Sequence, residues 1–213
     1  MSLPATIWKC FEMRLFLVPS CSLTGLFNHY NSVEPSLDRS NADRIRQENL
    51  RHYVDCFVRS PRFILVGEAP GWRGCRFSGV PFTSEEQLVG GHLPFTGRQS
   101  SSATMPYGEN SANFMWEVLA KLHSEVFLWN AVPLHPHRPG HFEENRKPTT
   151  EERERFETFT DELITILKPQ EVVAVGRVAE RALQKHKPKY VRHPSFGGAQ
   201  KFRVGMSSLK FNR

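Results

Sequence analysis

The chain has 213 residues, 39% of them hydrophobic and 23% charged, which is enough for one sizeable core and short for two ordinary domains, so a single domain over 1–213 is the expectation. The longest apolar runs, such as Phe63-Ile64-Leu65-Val66, fall well short of the roughly 20 residues needed to cross a bilayer, which excludes helical membrane spans. Formal charge is +6, but residues 177–213 hold ten Lys/Arg against Glu180 alone, a local +9 that leaves −3 for the remainder. Such a segment supplies the sequence-independent attraction that phosphate backbones reward, and a merely solvated basic face is the alternative.

Cys10, Cys21, Cys56 and Cys75 are separated by 11, 35 and 19 positions, with no C-x-x-C pair to suggest a zinc ribbon or a disulfide framework. The apolar stretch around Met13 to Val18 is broken by Pro19 and is too short for a usual signal-peptide core. Reduced thiols and a cytoplasmic location are expected.

In chain order, residues 1–38 mix Pro, Ser, Asn and Gly with aromatics and read as an irregular N-terminal arm. Ser40 or Asn41 can cap a first helix, whose apolar face is set by Leu50, Tyr53, Val54 and Phe57. Phe63 to Val66, halted by Gly67, has the pattern of a strand buried on both faces. A second helix starts near Asn110 or Ser111 and carries Met115, Val118, Leu119 and Leu122, followed by a strand over Val126 to Val132. Thr149 and Glu152 form a capping box for a third helix with a stripe of Phe156, Phe159, Leu163 and Ile166, stopped by Pro169. Val172 to Val175 is a third strand, Ala179 to Leu183 lie on a fourth helix, and Tyr190 to Arg192 form a short last strand.

This alternation predicts an α/β fold, a three-layer α/β/α sandwich around a four-stranded mainly parallel sheet with right-handed crossovers. Ligands of such sheets sit at the strand C-terminal ends, where Gly67-Glu68-Ala69-Pro70-Gly71, Asn130 with the Pro133 to His137 loop, and His193-Pro194-Ser195-Phe196-Gly197-Gly198 would converge.

The residue types narrow the chemistry. Glu68 puts a carboxylate at the sheet edge on a turn held by Pro70 and opened by Gly67 and Gly71; a solvated Glu on a plain strand-to-helix turn is the other reading. Asn130 is an amide in an otherwise apolar strand, satisfied either by a structural hydrogen bond or by a base whose edge it reads, since one carboxamide accepts from a ring N–H and donates to the neighbouring carbonyl of uracil. An unpaired buried edge costs about 1–3 kcal/mol, which makes such a site selective. Phe82 can supply a stacking face. His193, before a proline and beside Arg192, Ser195 and two glycines, is a structural or a catalytic histidine. His135, His137 and His141 offer a zinc alternative, although Pro136 and Pro139 stiffen the segment and no Cys lies nearby.

With these loops in order, the chain resembles the uracil-DNA glycosylase superfamily, nearest the branch whose first motif reads G-E-A-P-G, here Gly67 to Gly71, followed by Gly79-Val80-Pro81-Phe82. Asn130 in Trp129-Asn130-Ala131-Val132-Pro133 and His193-Pro194-Ser195 match its later motifs, and the resemblance runs from about Leu50 to Phe202. It implies a DNA glycosylase that flips uracil or a related deaminated base out of DNA and hydrolyses its N-glycosidic bond, as a monomer without cofactor or metal. His193 would donate to the leaving base, and Glu68 would position water or stabilise the sugar cation. Phe82 would stack on the base, Asn130 would read its edge, and Gly67, Ala69, Pro70 and Gly71 would line its pocket. Phe196 would wedge into the vacated stack, beside DNA contacts from Arg192, Ser195, Gly197 and Gly198.

Departures from the family pattern are informative. The most uracil-specific branch has Asp where this chain has Ala69, and a thymine-excluding Tyr where it has Gly71. The four cysteines do not reproduce the iron–sulfur spacing of the G-E-A-P-G branch, so no cluster is expected. Glu85, just after the stacking Phe, is a second candidate for the water-positioning carboxylate. A superfamily member that binds uracil-containing or single-stranded DNA with little or no turnover is the rival reading, and a metal hydrolase built on His135, His137 and His193 a more distant one.

Overall fold

The computed structural model describes residues 1–21, 24–119 and 122–209. Eight α-helices are seen there, besides two short 3-10 turns: α1 (Leu3–Arg14), α2 (Ala42–Asp55), α3 (Cys75–Ser78), α4 (Glu85–Val89), α5 (Asn110–Leu119), α6 (Thr150–Leu167), α7 (Arg177–Ala182) and α8 (Ala199–Ser208). Strands β1 (Leu26–Phe27) and β4 (His135–Pro136) pair antiparallel as a small accessory sheet. The main sheet is formed by β2 (Phe63–Gly67), β3 (Val126–Asn130), β5 (Glu171–Val175) and β6 (Lys189–Val191), in the order β3-β2-β5-β6. All three of its ladders are parallel. The α/β architecture expected from the sequence is therefore present.

The order of the strands positions the site. The chain leaves β2 toward β3 on one side, then crosses back to β5 on the other side of β2 and on to β6. With right-handed crossovers, α5 falls on one face and α6 and α7 on the other, consistent with the packing of α5 on α8 and of α6 on α7 and α1. The loops leaving β2 and β5, which are adjacent strands, thus diverge to opposite faces and open a crevice at their carboxyl ends.

Every residue of β2 and β3 is buried, as the apolar runs dictate. On β3, Trp129 stacks on Phe11 of α1 at 4.9 Å and meets Phe159 of α6 edge-on at 5.6 Å. The outer edge of β3 is closed by α2, where the Tyr53 hydroxyl accepts the Leu128 N–H at 2.6 Å. At the start of α6, Thr149 Oγ1 accepts the Glu152 N–H and the Glu152 carboxylate accepts the Thr149 N–H, which is the capping box read from the sequence.

Several expectations are corrected. The stretch 1–38 is not an irregular arm throughout, because Leu3–Arg14 is a helix with Pro at its first turn and Ile7, Cys10 and Phe11 buried. Asn41 precedes α2 but makes no side-chain cap bond, and Phe57 is buried just beyond the end of that helix. The strand read to Val132 ends at Asn130, and the last strand ends at Val191, which leaves Arg192 on the loop. The C-terminal helix α8 had no counterpart in the sequence reading. Lys210 and Arg213 of the basic tail lie outside the described residues.

Candidate active site at the carboxyl edge of the sheet

Gly67 and Asn130 are register partners at the ends of adjacent parallel strands. A Cβ at position 67 would lie 2.4 Å from Phe82 Cζ and 2.8 Å from Asn130 Oδ1, so only glycine lets the ring and the amide meet there. Asn130 is 4% exposed, and its side chain has no hydrogen-bond partner among the described residues. The amide is not sealed off from solvent, so both its oxygen and its N–H are free to exchange water for a ligand edge.

Phe82 reaches this point from a strained backbone, with φ 53°, a left-handed conformation that costs an L-residue roughly 1–2 kcal/mol. The turn around it is over-determined. Ser78 Oγ contacts the Thr83 and Val80 carbonyls at 2.7 and 3.1 Å, Thr83 Oγ1 contacts the Pro81 carbonyl at 3.1 Å, and Trp116 Nε1 donates to Thr83 Oγ1 at 3.0 Å.

His193 completes the cluster, its ring centroid 6.2 Å from that of Phe82. Its tautomer follows from its neighbours: the Ser195 backbone N–H, which can only donate, points at Nδ1 at 3.2 Å, with the Ser195 hydroxyl at 2.8 Å. Nδ1 is therefore the acceptor and the proton sits on Nε2. Burial, aided by the adjacent Arg192, brings the imidazole pKa down to about 4, so the ring is neutral near pH 7. The Arg192 guanidinium turns back onto its own loop, donating to the His193 carbonyl at 2.8 Å and the Ser195 carbonyl at 3.4 Å. A Cβ on Gly198 would lie 2.1 Å from that same His193 carbonyl, so the hairpin bend needs glycine there. Phe196 at its tip is 98% exposed with φ 52°, followed by Gly197 at φ 71°.

Glu68 is half-buried with no ion pair among the described residues; desolvation raises its pKa, and the nearby Lys147 and Arg153 oppose that rise. Ala69 is partly buried against the core, and the Pro70 carbonyl accepts from His135 Nδ1 at 2.9 Å. The second carboxylate candidate is corrected. Glu85 is fully buried and accepts the Ser100 and Ser101 N–H groups at 2.6 and 2.8 Å and the Ser101 hydroxyl at 2.6 Å, so its oxygens hold a loop.

The sequence reading missed Glu109. A Cβ at Gly71 would lie 2.4 Å from Glu109 Oε1 and one at Gly74 1.9 Å from Glu109 Oε2, so this carboxyl fills the space that the two glycines leave. Burial raises its pKa, partly countered by Ser111. No sequence signal marks it, because the two glycines whose space it fills lie more than 30 positions away along the chain.

The histidines proposed as metal ligands face backbone carbonyls. His135 has Pro70 O on Nδ1 and Phe142 O 3.2 Å from Nε2, and His137 Nδ1 has Arg138 O at 2.7 Å. The four cysteines form no disulfide among the described residues and do not gather at one point, an arrangement that does not fit the iron–sulfur cluster of the G-E-A-P-G branch. Among the described residues, no three His, Cys, Asp or Glu side chains gather as metal ligands.

A family model described as the uracil-DNA glycosylase superfamily matches residues 55–208, well over half of the chain. The chain belongs to the uracil-DNA glycosylase superfamily. The crystal structure of wild-type SMUG2 from Pedobacter heparinus is similar in fold, with a TM-score of 0.68 and 17% sequence identity, covering 99% of this chain and 97% of that one. The likeness extends to the fold as a whole, N-terminal region included. No curated protein matches the chain. The superfamily residues inferred from the motifs, Gly67, Phe82, Asn130 and His193, are the ones that the fold brings into one cluster, whereas Phe196 stands exposed to solvent.

Proposed function

We propose that the protein is a DNA glycosylase that excises uracil or a related deaminated base from flipped-out nucleotides. The observation that carries this reading is the buried, uncompleted amide of Asn130 facing Phe82, beside a neutral His193 whose Nε2–H has no acceptor among the described residues.

A flipped base would lie on the Phe82 ring with its edge toward Asn130. The carboxamide oxygen accepts from N3–H of uracil and the amide N–H donates to the adjacent carbonyl; cytosine presents the opposite pattern there. As the glycosidic bond breaks, negative charge grows on the base, and a His193 Nε2–H donor aimed at its carbonyl stabilises that charge. The bond electrons leave with the base, the sugar becomes oxocarbenium-like, and a water adds at C1′; the proton it loses balances, through solvent, the one that the base anion takes up. Glu68 supplies the carboxylate for cation stabilisation or water positioning, and its partial burial strengthens that interaction relative to bulk water. Phe196 on its exposed hairpin tip serves as the wedge that replaces the flipped nucleotide.

The test is release of free base from matched oligonucleotides carrying uracil, hypoxanthine, xanthine or thymine, with EDTA present. Release from at least one substrate that is unaffected by the chelator supports the reading. DNA bound with no release from any of them would leave the protein a binder of damaged or single-stranded DNA.

A further inference from the structure

The loop from β2 into α3 continues past the pocket as Trp72-Arg73, and neither residue is used by the chemistry above. Trp72 is half-buried yet reachable, and Arg73 is exposed. The Arg73 guanidinium lies over the indole, 4.7 Å from its centroid. The indole meets Tyr107 edge-on at 5.4 Å, and Tyr107 is stacked on buried Phe77 at 4.7 Å with an interplanar angle of 24°. The backbone is fixed as well, because the Trp72 N–H donates to Asn145 Oδ1 at 2.8 Å and the Gly71 carbonyl accepts from Gly74 and Arg76. This is a pre-organised aromatic and guanidinium surface four residues from Glu68.

The segment that holds Trp72 also brings charge. Beyond Asn145, Lys147 is exposed, and Arg153 lies on the first turn of α6, its guanidinium donating to the Pro148 carbonyl and Thr150 Oγ1. Among the described residues Arg73, Lys147 and Arg153 have no ion-pair partner, and the acid in whose field Lys147 and Arg153 lie is Glu68. An aromatic plane bordered by unpaired cations beside a carboxylate-bearing cleft has the composition of a track for single-stranded nucleic acid, where bases stack and phosphates are neutralised.

We propose that Trp72 and Arg73 form a stacking platform for an unpaired base flanking the nucleotide in the pocket, with Lys147 and Arg153 on its phosphates. This rests on the glycosylase reading for the position of the strand, but its binding test does not need turnover. A base within a duplex is stacked on both faces and cannot use the platform.

The probe is a uracil-free oligonucleotide, single-stranded and in duplex form, titrated by anisotropy and by tryptophan emission. Trp72→Ala should weaken single-strand binding about tenfold and leave duplex binding unchanged, while Trp72→Phe keeps most of it. Emission should be quenched on single-strand binding in the wild type and not in Trp72→Phe, which keeps buried Trp116 and Trp129 and the half-buried Trp8 beneath Arg51 as a constant background. Replacing Lys147 and Arg153 by Ala should reduce the log–log salt slope by roughly 0.7 for each phosphate that is no longer neutralised. Unchanged affinity in Trp72→Ala, equal weakening in the Ala and Phe variants, or absent quenching at saturation would overturn the platform. Trp72-dependent binding without base release would stand against the glycosylase reading alone, and release without Trp72 dependence against the platform alone.

Discussion

Phe82 and Phe196 share an unusual backbone, with φ of 53° and 52°, and opposite surroundings, 7% against 98% exposed. Around Phe82 the strain is balanced by a buried turn and by contact with Gly67 and Asn130. Around Phe196 the packing is absent, and only the bracing of the hairpin by Arg192, Ser195 and Gly198 maintains it. Left-handed aromatics persist where surrounding structure fixes them, and they mark the two ends of this site: a plane that receives a base, and a probe that leaves the protein.

Removing each ring should therefore give very different results. Phe82→Ala empties a buried position and should destabilise the fold by about 3–5 kcal/mol in chemical denaturation, with base release abolished alongside. A stability change below about 1 kcal/mol would show that Phe82 is not packed as described. Gly67→Ala attacks the same contact from the other side. Its methyl displaces the ring or the amide, so base release should fall at least tenfold while the strand survives, measured as kcat/KM on uracil-containing DNA.

Two carboxylates extend the contrast between pocket and scaffold. Glu68→Gln should lower base release about 10²–10³-fold with melting temperature nearly unchanged, whereas Glu85→Gln should weaken the charge-assisted bonds to Ser100 and Ser101 and act on stability first. Equal effects of the two on stability would break the assignment.

The sequence made the pocket end of this comparison readable and the scaffold end obscure, for physical reasons. The apolar run before Gly67, the polar Asn130 in an apolar strand and the His-Pro step after the last strand are local signals, and the parallel register then places them together. Pro4 at the first turn of α1 with Ile7, Cys10 and Phe11 at helical spacing was also readable, but the Ser, Asn and Gly that follow over residues 20–38 drew the whole stretch into one irregular arm. In α8 the stripe is short and Gly205 in its interior weakens the helical signal, although glycine suits a position where a Cβ would come within 3.1 Å of the Val191 side chain. The roles of Glu85 and Glu109 depend on loops that approach only in three dimensions, and no periodicity reports those.

The pH dependence of stability bears on the His193 end of the site. Its folded pKa of about 4 lies below the roughly 6.5 of an unfolded histidine, so the unfolded chain binds the extra proton between those values. The contribution is complete above about pH 6.5 and is lost as pH falls toward 4, amounting to at most about 3 kcal/mol. His193→Gln should flatten that part of the stability profile, and an unaltered slope would mean that the ring is not held neutral.

The smallest effect on stability, and the sharpest separation, belongs to Phe196. Its side chain touches little, so Phe196→Ala should change unfolding free energy by less than about 0.5 kcal/mol. Phe196→Gly removes the left-handed strain but also frees the unfolded chain, two terms of about 1 kcal/mol that oppose each other. Both variants should therefore fold like the wild type, and both lack the ring that fills a gap in stacked DNA. Base release from duplex should drop while release from single strands, where no stack has to be opened, stays near the wild-type rate. Parallel decreases on both substrates would place Phe196 in the pocket chemistry with Phe82, and the contrast between the two left-handed aromatics would then be one of exposure alone.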